Sequence, residues 1–221
     1  AYNTALFDIT PYLNKKSDKQ ELSMRVISQY PGAEFDFNDD WAPNGIFRDV
    51  YVLSRPKGHL FDLKLGYDDK SVRCEYPFKL YDAEGKECDT SDIILWNAEK
   101  PYLYRVELER SGEIISRKVG LRKVEISENY ELLINGVSVK LFGVNHHDTS
   151  KYRGWCQSEE ELRQDLLLMK QLNMNCVRTS HYPPAPIFLQ LCDELGLYVV
   201  CETDIETHGY VRRVAVGYGY D

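Results

Sequence analysis

Hydrophobic and polar positions change their spacing once along this chain, near residue 124. Between residues 59 and 124 apolar side chains recur at every second position: Phe61, Leu63, Leu65, Tyr67, then Val72, Cys74, Tyr76, Phe78, Leu80, then Tyr102, Tyr104, Val106, Leu108. A period of two puts alternate side chains on opposite faces of an extended backbone, so these runs predict half-buried antiparallel strands. Asp82-Ala83-Glu84-Gly85 and Ser111-Gly112 supply turn residues between them. Short strands at this spacing predict a small β-sandwich of immunoglobulin-like size over residues 51–124. Upstream, residues 5–9 and 22–27 also read as strands, whereas 29–44 is irregular, aromatic and acidic. Residues 1–50 hold too little regular pattern to close a domain and read as the end of a longer one.

Beyond residue 124 the pattern becomes mixed. Leu132-Leu133-Ile134-Asn135-Gly136-Val137 signals a hairpin, because Asn-Gly accepts the positive φ angles of a type I′ turn. A strand over 139–144 should follow. Ser158 and Glu161 stand three apart, the spacing of a capping box, and Leu162, Leu166, Met169 and Leu172 share one helical face, which predicts a helix. A strand over 175–179, a helix over 186–195 closed by Gly196, and an apolar strand over 197–201 complete a β-α-β-α-β order. That alternation implies a parallel sheet with right-handed crossovers.

Composition narrows the functional classes. Lys plus Arg number 27 against 35 Asp plus Glu, a net charge of −8 with the signs interspersed, which lacks the basic face that non-specific nucleic-acid binding requires. No apolar run reaches the length of a membrane span, and the first ten residues show no secretory pattern, so the expectation is a soluble, cytoplasmic protein. Cys74, Cys88, Cys156, Cys176, Cys192 and Cys201 are widely spaced with no C-x-x-C pair. They read as reduced, buried small hydrophobes.

The chemistry gathers after the parallel strands. The first runs into Asn145-His146-His147-Asp148, the second into Arg178-Thr179-Ser180-His181-Tyr182, the third into Glu202-Thr203-Asp204-Ile205-Glu206-Thr207-His208. In parallel α/β folds the carboxyl ends of the strands form the ligand face, so the three clusters should converge. Arg178 can serve there as a ligand contact or as a structural partner for Glu202 or Asp204. His146, His147, Asp148, His181 and His208 have metal-ligating chemistry but none of the recognised ligand spacings, and no metal site is expected. Neither Cys176 nor Cys201 has the neighbours of a nucleophile, and no glycine-rich phosphate loop follows a strand.

Five ordered motifs resemble glycoside hydrolase family 2: Gly45-Ile46-Phe47-Arg48-Asp49-Val50; Leu95-Trp96-Asn97-Ala98-Glu99-Lys100-Pro101-Tyr102-Leu103-Tyr104; Phe142-Gly143-Val144-Asn145-His146-His147; the stretch from Asp165-Leu166-Leu167-Leu168-Met169-Lys170 to Arg178-Thr179-Ser180-His181-Tyr182-Pro183; and Ile205-Glu206-Thr207-His208-Gly209. The last is similar to the β-galactosidase branch. The resemblance implies the end of a jelly-roll sugar-binding domain over 1–50, an immunoglobulin-like sandwich over 51–124 and the opening of a (β/α)₈ TIM barrel over 125–221. A whole barrel takes roughly 250 residues, so the chain is expected to be a fragment of a larger enzyme.

Retaining hydrolysis of a glycosidic bond needs two carboxyl groups about 5 to 5.5 Å apart. In the family these are Glu residues after barrel strands four and seven, so no catalytic acid/base or nucleophile is assigned in this chain, and the fragment alone is expected to be inactive. What carries over is substrate binding: His181 and His208 match histidines that hydrogen-bond sugar hydroxyls, with Asn145 and Arg178 beside them. Pro31 stands where many β-galactosidases carry an Asp that contacts galactose, leaving Asp36, Asp39 or Asp40 as substitutes. The resemblance further implies a β-galactoside substrate, the remainder of the polypeptide as partner, a homo-oligomer, no cofactor for this stretch, and room for Mg²⁺ and Na⁺ in the full enzyme. Alternatives are a family 2 β-glucuronidase or β-mannosidase, or a non-catalytic carbohydrate-binding module.

Overall fold

A computed structural model describes residues 3–27, 45–68 and 71–205. The middle of the chain folds as the period of two directs. Strands β1 (Leu65–Asp68) and β2 (Ser71–Cys74) form an antiparallel pair, and β3 (Lys79–Tyr81), β4 (Tyr104–Arg110) and β5 (Glu113–Val119) form a three-stranded antiparallel sheet in that order. Val72 from the first sheet joins Leu80, Tyr104, Val106 and Leu121 in one buried cluster, with Leu65, Tyr67 and Phe78 packed on its margin. The apolar alternation from Val72 to Leu80, which reads as one strand, is divided between the two sheets. The break at residues 75–78 lets β2 and β3 approach the same core from different sheets. Phe61 stays outside, 79% exposed.

The upstream segment departs from expectation. Residues 5–9 and 22–27 form no strand, and the regular structure there is a single 3₁₀ turn, Thr10–Tyr12. Leu6, Phe7, Leu22, Met24, Val26 and Ile27 are all exposed. Alternation supplies a face, but a strand needs a neighbour to satisfy its backbone N–H and C=O groups, and none pairs with these stretches among the described residues.

Strands β6 (Val124–Ile126), β7 (Leu132–Ile134) and β8 (Val137–Ser138) form the next antiparallel sheet. Asn135 and Gly136 turn β7 into β8 with φ of 53° and 78°, the type I′ geometry that matches strand twist. The strand expected over 139–144 is instead two pieces: β8 stops at Ser138, and β9 (Gly143–His146) begins a separate parallel sheet. Residues 139–142 between them belong to no strand.

In that sheet β10 (Cys176–Thr179) lies between β9 and β11 (Tyr198–Val200), all parallel. Helix α1 (Glu159–Gln171) follows β9 and α2 (Pro186–Leu195) follows β10. The capping box at the start of α1 is complete: the Ser158 hydroxyl accepts from the Glu161 N–H, and the Glu161 carboxylate accepts from the Ser158 N–H at 2.9 Å. Leu162, Leu166 and Met169 bury against Val177, Phe188, Leu191, Cys192 and Leu197. Leu172, one position past the helix, is 56% exposed instead. Gly196 ends α2 with φ of 77°, a left-handed conformation that an L side chain adopts only at a cost.

The stretch 96–122 is bolted to the last turns of α1 and α2 and to the start of β11. Trp96 is fully buried, its indole N–H donates to the Asp193 carbonyl at 2.8 Å, and Tyr198 meets it edge-on at 5.6 Å. The Arg122 guanidinium lies 4.3 Å from the Trp96 ring centroid and pairs with Asp193 at 3.1 Å. Lys170 Nζ donates to the carbonyls of Ala98 and Gly196, and Lys118 and Arg163 both pair with Glu194. All six cysteines are free. Cys176 and Cys192 are buried, Cys74 and Cys88 half-buried, and Cys156 and Cys201 exposed, so the expectation of six buried thiols holds for the first two alone.

Candidate functional site

The parallel pairing sets Asn145, Arg178 and Val200 side by side at the carboxyl ends of the three strands. A short step beyond them the chain places His181 and Glu202, and four polar side chains close into one network. Arg178 Nε donates to Glu202 Oε1, and its two amino groups reach Asn145 Oδ1 at 3.4 Å and His181 Nδ1 at 3.2 Å. His181 Nδ1 also lies 3.3 Å from Glu202 Oε2. Glu202 is anchored from the backbone side, its N–H donating to Thr179 Oγ1 at 3.0 Å. Burial alone pushes the Glu202 carboxyl upward, but hydrogen bonding and charge from Arg178, with His181 behind, outweigh it and hold the group below its ordinary range. It is an ionised carboxylate pinned by a guanidinium.

Of the expected site residues, Asn145, Arg178 and His181 are therefore together. Arg178 takes the structural partnership foreseen with Glu202 while still facing Asn145 and His181. His208 lies outside the described residues, as do Glu206, Pro31, Asp36, Asp39 and Asp40.

A second layer supports the first. The Tyr182 hydroxyl accepts from the Asp148 N–H at 3.1 Å and lies 3.4 Å from His147 Nδ1, whose ring meets His181 edge-on at 5.5 Å. Asp148 is buried, and its Oδ2 accepts from Arg48 at 3.0 Å and from the Ala185 N–H at 3.1 Å. The same Arg48 amino group donates to the Pro183 carbonyl at 2.9 Å. Arg48 thus ties the loop after β9 to the loop after β10, while Phe47 packs on Trp155 and Trp155 on Tyr182. Sequence reasoning did not foresee this strap. An arginine 100 residues from its carboxylate and 135 from its carbonyl partner leaves no local signal.

Among the described residues no group of three His, Cys, Asp or Glu side chains converges on one point. His146 stands between carboxylates, Nε2 3.2 Å from Asp165 and Nδ1 3.7 Å from Asp148, so its ring separates them instead of joining them round a centre. Burial pushes the Cys176 thiol above its ordinary range, which disfavours the thiolate.

What the arrangement offers is a polar, partly open face with an imidazole, an amide, a guanidinium and a carboxylate in fixed relation. Such a face suits a ligand rich in hydroxyl groups, each of which donates and accepts. Residues 124–219 match the family described as "Glycosyl hydrolases family 2, TIM barrel domain". A β-galactosidase of Actinobacillus pleuropneumoniae is 37% identical over 234 residues, covering 95% of this chain and 23% of that protein. One of Staphylococcus xylosus is 34% identical, covering 93% and 23%. Among solved structures, a β-D-glucuronidase of Dictyoglomus thermophilum aligns with a TM-score of 0.59 at 26% identity, over 68% of this chain and 30% of its own. The chain thus spans 23% of the length of those β-galactosidases. Its ordered motifs, its β/α units and these likenesses agree: the chain belongs to glycoside hydrolase family 2.

Proposed function

We propose that this chain forms the sugar-binding side of the barrel in a retaining β-galactosidase, acting on terminal non-reducing β-D-galactosides. One observation carries the reading: Asn145, Arg178, His181 and Glu202 form a single network at the carboxyl ends of three adjacent parallel strands. The position is where a barrel enzyme keeps its ligand, and the relatives that cover nearly all of the chain are β-galactosidases. His208 is a second sugar contact on this proposal, on the strength of its motif.

Two carboxylates described at this face are occupied with structure. Glu202 is pinned by Arg178, and Asp148 by Arg48 and the Ala185 N–H. A general acid must carry and release a proton, and a nucleophile must face the anomeric carbon unencumbered. As the family resemblance implies, we assign both roles to Glu residues outside these 221 positions and expect the chain by itself to turn over no glycoside. The proposal also takes residues 1–50 as the end of a jelly-roll domain, 51–124 as an immunoglobulin-like sandwich and 125–221 as the start of the barrel, in a cytoplasmic homo-oligomer.

A second reading is favoured by the structural likeness to a β-D-glucuronidase. A panel of chromogenic β-galactoside, β-glucuronide and β-mannoside offered to the full-length enzyme separates the two. Preference for the galactoside in kcat/KM supports the proposal, and preference for the glucuronide replaces it. Turnover by the purified 221-residue chain would overturn the placement of the two carboxyl groups.

A further inference from the structure

Two groups claim the same imidazole nitrogen in this network. His181 Nδ1 lies 3.3 Å from Glu202 Oε2 and 3.2 Å from the Arg178 amino group. In a neutral imidazole one nitrogen carries a proton and the other a lone pair, so Nδ1 can donate to the carboxylate or accept from the guanidinium, but not both. With the lone pair on Nδ1, two sets of lone pairs would face each other across 3.3 Å, and Oε2 would have no donor among the described residues. With the proton on Nδ1, the carboxylate gains a charge-assisted bond. Arg178 keeps other partners, Nε on Oε1 and its other amino group toward Asn145, and its side chain is 37% exposed, so a small shift of the whole planar guanidinium brings the third corner to water. The Glu202 backbone is itself held by Thr179.

We infer that Glu202 is a positioning residue that fixes His181 as the Nδ1–H tautomer and so presents Nε2 as a hydrogen-bond acceptor to a hydroxyl of the ligand. Nε2 makes no hydrogen bond among the described residues, and the side chain is 16% exposed. An acceptor at that point distinguishes a hydroxyl, which can donate, from a fluorine or a methoxy group, which cannot. The ligand half of the inference rests on the sugar-binding reading above. The tautomer half does not.

The test is the long-range ¹H–¹⁵N spectrum of the imidazoles in the ¹⁵N-labelled chain at a pH of about 8, where an ordinary histidine is neutral. The signals are assigned to His181 by their loss in His181→Asn. The expected pattern has a protonated Nδ1 and an unprotonated Nε2. Glu202→Gln, whose amide can donate to Nδ1, shifts a large share of the population to Nε2–H, and Glu202→Asp, which draws the carboxylate back by one methylene, does the same should the first variant not fold. An Nε2–H pattern in the unmodified chain, or an unmoved pattern in the variants, overturns the inference. In the full-length enzyme, replacing one particular sugar hydroxyl by fluorine should then cost about tenfold in kcat/KM, and Glu202→Gln should remove that penalty. An Nδ1–H tautomer with no such position overturns the sugar role of His181 while the assignment of the proton stands.

Discussion

Where α2 runs into β11 the chain buries an indole, caps a helix with Gly196 and closes the joint with backbone carbonyls, whereas beyond the carboxyl ends of β9, β10 and β11 it gathers Arg178, His181, Glu202, Asp148 and Arg48. Both ends are connected across long sequence distances, but by different means. The first is built round a fully buried indole, with ion pairs of Arg122, Lys118 and Arg163 at its margin. The second is held by charge and hydrogen bonds, which are directional and leave atoms turned outward. On the proposed function the same strands serve stability at one end and recognition at the other, the division expected of a barrel.

The contrast breaks most readily at Trp96. Trp96→Ala should cost about 3 to 5 kcal/mol of unfolding free energy, the range for truncating a buried aromatic residue. Urea denaturation measures it, and a loss below about 1 kcal/mol would show that the joint contributes little. Because Trp96 links the sandwich region to α2, one transition should be lost as a whole, in place of a sandwich that unfolds alone.

Arg48→Met asks how much the polar end contributes. It leaves the Asp148 carboxylate buried beside the Ala185 N–H, and the expected cost is about 1 to 3 kcal/mol. Adding Asp148→Asn should recover part of that loss in a double-mutant cycle, and strict additivity would deny the coupling. Gly196→Ala returns to the apolar end. A Cβ there would run into the Ala98 carbonyl from a left-handed backbone, so about 1 to 3 kcal/mol should disappear from the same denaturation curve.

How much of this was legible in the sequence follows the range of the interactions. The capping box at Ser158 and Glu161, the Asn135-Gly136 turn and the Gly196 stop could be read because each is complete within a few residues. The convergence of Asn145, Arg178 and His181 could be read because parallel topology aligns strand ends. The Arg48 strap and the Trp96 joint could not, since their partners lie 97 to 135 residues away and the fold alone brings them together. Alternation misled at residues 5–9 and 22–27, where an apolar face exists without a paired edge among the described residues, and across Val72 to Leu80, where one run serves two sheets.

The smallest effect belongs to the start of α1. Hydrogen bonds from the Ser150 hydroxyl first, then from the Ser158 N–H, with Arg153 adding to them, hold the Glu161 carboxyl down to about 2 from an ordinary value of 4.5. A carboxyl depressed on folding contributes stability that is full above its unfolded value and is lost as pH falls through the folded one. Melting temperature should therefore decline as pH drops from 4.5 toward 2, and Glu161→Gln should flatten that part of the profile. An unchanged slope would remove Glu161 from the account.

The division between the two ends is tested most directly by His181→Ala in the full-length enzyme, with kcat, kcat/KM and melting temperature measured on one preparation. The account predicts that kcat and kcat/KM fall by about tenfold to a hundredfold, the equivalent of one hydrogen bond to the transition state, neutral or charge-assisted. Melting temperature should move by no more than about 2 °C, because the side chain lies outside the buried clusters. A depressed melting temperature with unchanged kinetics would contradict it, and would make the carboxyl end of the sheet a second structural joint.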